Sequence, residues 1–410
     1  MIPNSLTSEK EPIIHEINKE AKSEKIPLLS VLALSTAAFI TILTEALPAG
    51  ILPQMAHSLN VSIPYAGQIV TLYALGSTLL AIPLTVATRS LRRKPILLIS
   101  VAGFAVTNTV TAISSIYVLT LCARFIAGAF AGLLWSLVAG YAGRMSPPHL
   151  KGRAIAVAMV GIPLALSIGI PAGTLLGVLI GWRYTFGIMS VLTLFLIEWI
   201  TMKIPDYPGE SSGNRLSLKK VIMLPGIRSI LLAMVTFVLA HNILYTYIAP
   251  FLILSGLSAQ IDIVLLVFGF SALLGIWITG RLIDDHIYRL VMISTVVFTI
   301  SSIILGIWAS NPVIVYICII LWGLAFGGMP TLVQTASAHA AGNAADLAQS
   351  IVVSTWNAAI AGGGIIGGIL VDKSGAVSFP FVLVGLLLIS IFIVINGRKK
   401  HITLHRPKMQ

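Results

Sequence analysis

Two ionisable residues stand inside stretches that otherwise carry no charge. Glu45 lies well within the apolar run 29–52, and Arg124 interrupts the run 117–143. A charged side chain in such a run costs roughly 2.5–3.5 kcal/mol on insertion scales unless it is paired, hydrogen-bonded or hydrated, so its presence points to a task. For a carboxyl the task is to bind and release a proton. For a guanidinium it is to hold or drive off that charge. Glu198 is the other acid well inside the first half, nearer the end of its run. Neutral polar and aromatic residues accompany them: Gln68, Tyr73 and Trp135 early in the chain, then His241, Asn242, Tyr245, Gln334 and Asn357. His241 and Tyr245 are four apart and share a helix face. Such groups can hydrogen-bond and stack on a polar organic solute, and they can equally bond helix to helix. The sequence has no phosphate-binding loop of the Gly-x-x-x-x-Gly-Lys-[Ser/Thr] kind, no His-Glu-x-x-His and no Gly-x-Ser-x-Gly. No catalytic residue, metal site or cofactor is expected, and an enzyme is not.

The elements that must position these residues are membrane helices. The chain is 57% hydrophobic and 10% charged, with mean hydropathy +0.97, far from the roughly 25% charged residues of soluble domains. Apolar runs fall near 29–52, 65–88, 95–113, 117–143, 154–180, 184–203, 227–254, 261–283, 290–309, 312–336, 347–371 and 377–396. Each is long enough to cross a bilayer, which predicts an all-α membrane protein of 12 transmembrane helices. All Lys and Arg except Arg124, Arg183 and Lys373 fall on one side if the N-terminus is cytoplasmic. The net charge of +12 is then a topology signal, with both termini in the cytoplasm, and not a nucleic-acid footprint. Residues 1–26 read as a polar cytoplasmic tail without a signal peptide. Residues 27–203 form a first six-helix bundle, 204–226 a cytoplasmic linker, 227–397 a second six-helix bundle and 398–410 a C-terminal tail. Cys122 and Cys318 lie inside spans and read as small packing residues.

The run 154–180 has its own pattern. Gly169, Gly173, Gly177 and Gly181 recur every four residues, Gly161 precedes them, and Pro163 and Pro171 interrupt the helix. A glycine face lets a neighbouring helix approach at backbone distance, and the prolines bend it.

Gly161, Gly169, Pro171, Gly173 and Gly177, followed by Gly181-Trp182-Arg183-Tyr184-Thr185-Phe186, resemble the fifth-helix antiporter motif of the major facilitator superfamily. More narrowly they resemble its 12-helix drug:proton antiporters and their arabinose-efflux and purine-nucleoside-efflux relatives. The resemblance extends from about residue 44 to 375. It implies two pseudo-symmetric six-helix bundles that rock about a midplane site. Arg89, Arg92 and Arg93 fall on the family's cytoplasmic gate motif, but Thr88 and Leu91 replace its Asp and Gly. In the second half Gly280, Arg281 and Asp284 keep the acid, making Asp284 the gate residue, with Arg281 or Arg289 as partner. Arg124-Phe125 with Gly128 and Gly132 resembles the fourth-helix motif whose Arg is tied to proton coupling. A residue like Glu45 recurs in the arabinose-efflux branch. The implied activity is proton-coupled antiport that exports sugars, nucleosides or drugs, with drug resistance as one outcome. A proton-coupled uptake permease or uniporter is the alternative. The implied partners are a small-molecule substrate, protons and the bilayer. The implied setting is a multi-pass, monomeric protein of a bacterial inner membrane.

Overall fold

Inside a bilayer the backbone has no water to bond, so each apolar run must satisfy its own amides as a helix. A computed structural model describes residues 25–210 and 216–404, and among these no strand occurs. The tail 1–24 and residues 405–410 lie outside the described residues, as does 211–215 within the linker. Among the described residues, nine helical runs are long and apolar enough to cross a membrane. Three of them, Pro148–Lys203, Ile263–Trp308 and Pro312–Ser374, span 56, 46 and 63 residues and are each long enough to cross twice.

We label the crossings in chain order: α1 Leu28–Gly50, α2 Ile63–Thr88, α3 Arg93–Ile113 and α4 Tyr117–Arg144. Helix α5 runs from Lys151 to Gly181 in pieces, and α6 is Trp182–Lys203. Helix α7 is Ile227–Thr246. A single helical run, Ile261–Trp308, supplies α8 and α9, its two arms kinked at His286 (φ −134°, ψ 26°). Helix α10 comprises Pro312–Gly327 and Met329–Ala341, α11 is Ala345–Ser374 and α12 is Phe379–Leu404. Several boundaries differ from the hydropathy reading. The seventh run breaks at Tyr247 and resumes as the short helix Ile248–Leu252. The gap expected between 283 and 290 is helical but for one residue, and the last helix continues to Leu404. Hydropathy registers polarity, and these loops are polar without ceasing to be helical.

Helix α5 is not a plain α-helix. Wide turns at Ala165–Gly169 and Gly177–Gly181 interrupt it, a common accommodation where prolines remove backbone donors. It ends at Gly181, whose φ of +98° lets the chain reverse into α6.

The two largest apolar cores lie mainly one in each half. Leu34, Phe104, Leu134 and Met159 anchor the first, and Phe237, Phe298, Trp322 and Phe379 the second. A shared device locks each. Gly128 and Gly132 of α4 face the carbonyls of Tyr73 and Ser77 on α2, and Gly323 and Gly327 of α10 face those of Phe268 and Ala272 on α8. One sequence offset relates all four pairs, so the halves repeat the same small-residue crossing.

The halves meet through α11 against α2 and α4, and through α5 against α8 and α10. Across this seam Ser354 Oγ donates to Thr78 O (3.0 Å), Asn357 Nδ2 to Ser77 Oγ (3.4 Å) and Gln334 Nε2 to Met159 Sδ (3.3 Å). Among the described residues, every hydrogen bond or ion pair between halves lies between mid-span and the end that carries the basic loops. At that basic end the halves are bonded to each other around a cavity of about 740 Å³ lined by Arg93, Arg144, Glu210 and His339.

Candidate functional site

In the first half, Arg124 ties three helices together. Its Nε donates to Ile69 O of α2 (3.3 Å) and one Nη to Glu45 O of α1 (3.2 Å), and its guanidinium lies 4.8 Å from the Tyr73 ring centroid. Tyr73 in turn donates to Thr41 O of α1 (3.2 Å). Asn108 of α3 donates to Thr44 Oγ1, beside Glu45 (3.1 Å). Arg124, Tyr73 and Asn108 are buried, and Glu45 is half-buried. Arg124 therefore holds the main chain of Glu45, while no ion pair within 4 Å joins the two side chains among the described residues. Its other Nη is buried with no hydrogen-bond partner. Glu198 is exposed on the outer face of α6, away from this node.

The glycines of α5 pack on α1. A Cβ on Gly161 would collide with Ser35 O and sit 2.8 Å from Phe39 N. On Gly169 it would meet Phe39 Cζ (2.9 Å), on Gly173 Leu47 Cδ1 (2.8 Å) and on Gly177 Ile51 Cγ2 (2.6 Å). Pro171 opens the helical piece between the two wide turns. The glycine face thus lies against the helix that carries Glu45.

The second half builds an aromatic cluster. His241 stacks on Phe326 (centroids 3.6 Å, planes 10° apart) and on Tyr245 (5.3 Å, 24°), and its Nδ1 accepts from Trp322 Nε1 (3.1 Å). An Nδ1 that accepts leaves Nε2 as the donor of a neutral ring. Phe268 and Trp356 extend the cluster, Trp356 being a neighbour of Asn357 on the seam between halves. Other solute-binding candidates lie elsewhere. Gln68 is exposed, Asn242 bonds back to Val238 O on its own helix (2.9 Å), and Trp135 and Gln334 are buried in packing contacts. Cys318 is buried, but Cys122 is exposed on the outer face of α4 and is not a packing residue.

The gate at the basic end differs from the sequence reading. Asp284 bonds neither Arg281 nor Arg289. It accepts from the backbone N–H groups of Gly152 (2.5 Å) and Arg153 (3.2 Å) at the start of α5, in the other half, where helix N-termini favour anions. Gly280 lies beside Ala156 and Arg281 covers the Trp277 ring (3.6 Å). On the other side of the seam, Asp346 of α11 meets Arg93 Nε (3.0 Å) and Arg144 Nη2 (3.0 Å). The first-half loop lacks an acid, and α11 supplies it. Arg92 bonds Asp206 (2.5 Å), and Arg89 donates to Leu216 O (3.0 Å). Partial desolvation raises the Asp206 carboxyl, but Arg92 and the Lys94 N–H outweigh it and hold it below the usual carboxylate range. Asp346 and Arg144 were missed because each, read alone, is an ordinary loop-proximal charge.

The family model for the Major Facilitator Superfamily matches residues 34–345. The chain belongs to the major facilitator superfamily. Similar relatives include a probable sugar efflux transporter of Helicobacter pylori, 27% identical over 372 residues that cover 90% of this chain and 95% of that protein. One of Haemophilus influenzae is 28% identical over 399 residues, covering 94% and 99%. Among solved structures, the human organic anion transporter MFSD10 superposes with TM-score 0.73 at 16% identity, covering 90% of this chain and 98% of that one. The Escherichia coli fucose:proton symporter FucP gives 0.71 at 17%, covering 91% and 99%. This major facilitator protein is therefore a multi-pass membrane transporter for small molecules and not an enzyme.

The Arg124 node makes a direct prediction. Arg124→Lys keeps the charge but loses the planar fork that reaches Ile69 O and Glu45 O together. One charged hydrogen bond is worth about 1.5–3 kcal/mol, so transport in proteoliposomes should slow roughly tenfold or more. A wild-type rate in Arg124→Ala would remove the residue from the mechanism.

Proposed function

We propose that this transporter exports small neutral organic solutes, sugars foremost, in exchange for protons across the cytoplasmic membrane of a bacterium. The observation that carries the reading is that Arg124 grips the backbone of Glu45 while, among the described residues, no ion pair within 4 Å ties up its carboxyl. A carboxyl so placed can take a proton from one side and release it to the other as the guanidinium approaches or withdraws. The bundles 27–203 and 227–397, joined by the linker 204–226, then rock about a site between Glu45 and the His241 cluster. With the basic end in the cytoplasm, as the positive-inside bias supports, the conformation in which the halves are bonded at that end is the outward-facing one, and both termini are cytoplasmic. A neutral His241, aromatic faces and few charges suit a sugar better than an ion. The naming of the Helicobacter and Haemophilus relatives points the same way.

The experiment uses everted membrane vesicles with an acidic lumen and labelled sugars, purine nucleosides and drugs. A labelled sugar should accumulate in the lumen and leak out when a protonophore collapses the gradient. Accumulation only of nucleosides or drugs would move the substrate class. Transport out of the lumen with the proton would establish uptake instead.

A further inference from the structure

The first described part of the segment that joins the two halves is strapped over the basic end. Residues 204–210 are bound to the first half. Arg93 N donates to Tyr207 O (2.9 Å), Glu210 N to Arg89 O (2.8 Å) and Lys94 N to Asp206 (3.0 Å). Gly209 presses on Ser90 and Leu91, leaving no room for a Cβ. Beyond Leu216, whose O still accepts from Arg89 (3.0 Å), the chain serves the second half, where Val221 packs with Leu347, Ala348 and Ile351 at the start of α11. The strap thus brings one acid, Glu210, to the seam from the first-half side.

That acid reaches the same guanidinium as Asp346. Arg93, 1% exposed, has Asp346 at 3.0 Å from Nε and Glu210 at 3.8 Å from Nη2. The two acids belong to different bodies. Asp346 rides on α11, and Glu210 is bonded through its own N–H to the loop that carries Arg93. We infer that Glu210 is a positioning residue that keeps Arg93 compensated when the basic end opens and Asp346 moves away with α11. The inference rests on the alternating-access reading above. A buried charge stripped of its only partner is strongly destabilising. Without Glu210 the open state would contain an Arg93 with no acid in reach, and the closed state, with Asp346 at 3.0 Å, would not. Glu210 therefore favours opening, whereas Asp346 favours closure, although both touch one residue. Because a ligand or charge moves a two-state equilibrium only by its difference between states, removing the two acids must act in opposite directions.

The test uses the full chain in nanodiscs with Cys122→Ser, carrying spin labels at His149→Cys and Arg289→Cys, one on each half at the basic end. Distance distributions are recorded with and without labelled-substrate saturation, and kcat and KM for efflux are measured in proteoliposomes. Asp346→Asn should enrich the long-distance, open population. Glu210→Gln should deplete it roughly tenfold, about the worth of one charged contact present in a single state, with kcat falling by a similar factor and KM nearly unchanged. Glu210→Asp should restore part of both. If Asp346→Asn opens the gate and Glu210→Gln leaves distances and kcat at wild type, the role of Glu210 is wrong while the transport cycle stands. If neither variant nor substrate alters the distances, the basic end does not gate, and the alternating-access reading falls together with the Glu210 role.

Discussion

Glu45→Gln is expected to yield a folded, membrane-inserted transporter that no longer accumulates substrate against its gradient. The amide has the shape of the protonated acid and cannot release the proton. The hydrogen bonds of the node should survive, because Arg124 binds the main-chain oxygen of Glu45 and not its side chain, and Asn108 binds Thr44. The fold contacts survive the substitution and the titratable group does not. Accumulation in vesicles with an imposed pH gradient should therefore fall to that of empty vesicles. Exchange of labelled for unlabelled substrate, which needs no net proton movement, should persist. The two assays together separate loss of coupling from loss of binding. Gradient-driven accumulation at the wild-type level would show that another group carries the proton and would leave Glu45 as a helix-packing acid.

The twelve crossings were legible because each apolar run is long enough and the basic residues mark alternate loops. Hydropathy could not show that the loop at His286 stays nearly helical, since polarity and helicity are separate properties. The glycine face of α5 was equally plain, but periodicity describes a helix's own surface and not its neighbour. That α1 is the neighbour emerges only when Ser35, Phe39, Leu47 and Ile51 are seen against it. Charge pairs were the least legible. Asp284 lay near Arg281 and Arg289 in sequence, yet the N–H groups at the start of α5 outcompete them. Arg93, Arg144 and Asp346 come from three elements and two halves, a relation fixed by closure of the whole molecule. His241 and Trp322 are separated by 81 residues, and neither alone signals the bond.

These placements make α1 the element common to every part of the first-half site. It carries Glu45, accepts from Arg124 and Tyr73 on its backbone, and lies on the glycine face of α5. Helix α5 in turn begins at the N–H groups held by Asp284 of α8. A change at Glu45 that moves α1 has a contiguous packed route to the seam between halves, of the kind through which coupling can travel.

That route predicts a graded response along α5. At Gly161 an added methyl meets backbone, Ser35 O and Phe39 N, which can yield only if α1 itself shifts. At Gly173 it meets Leu47 Cδ1, the free end of a flexible side chain. Gly161→Ala should therefore be severe and Gly173→Ala mild, with Gly173→Leu in between or worse because its bulk exceeds what Leu47 can vacate. Overpacking costs about 1–3 kcal/mol, enough to move a balanced two-state equilibrium roughly tenfold or more. Gly161→Ala should thus hold the carrier in one orientation or let protons leak, with the fold retained. Leu175→Ala changes a side chain that is 59% exposed on the opposite face and should transport normally. Proton leak and substrate counterflow in proteoliposomes, beside cysteine accessibility from each side, read the series. The order Gly161, then Gly173, then Leu175 requires that α5 and α1 move as a fitted pair. Equal effects at Gly161 and Gly173 would mean that the helix tolerates a backbone clash as easily as a side-chain one, and the proposed route from Glu45 to the seam would lose its first link.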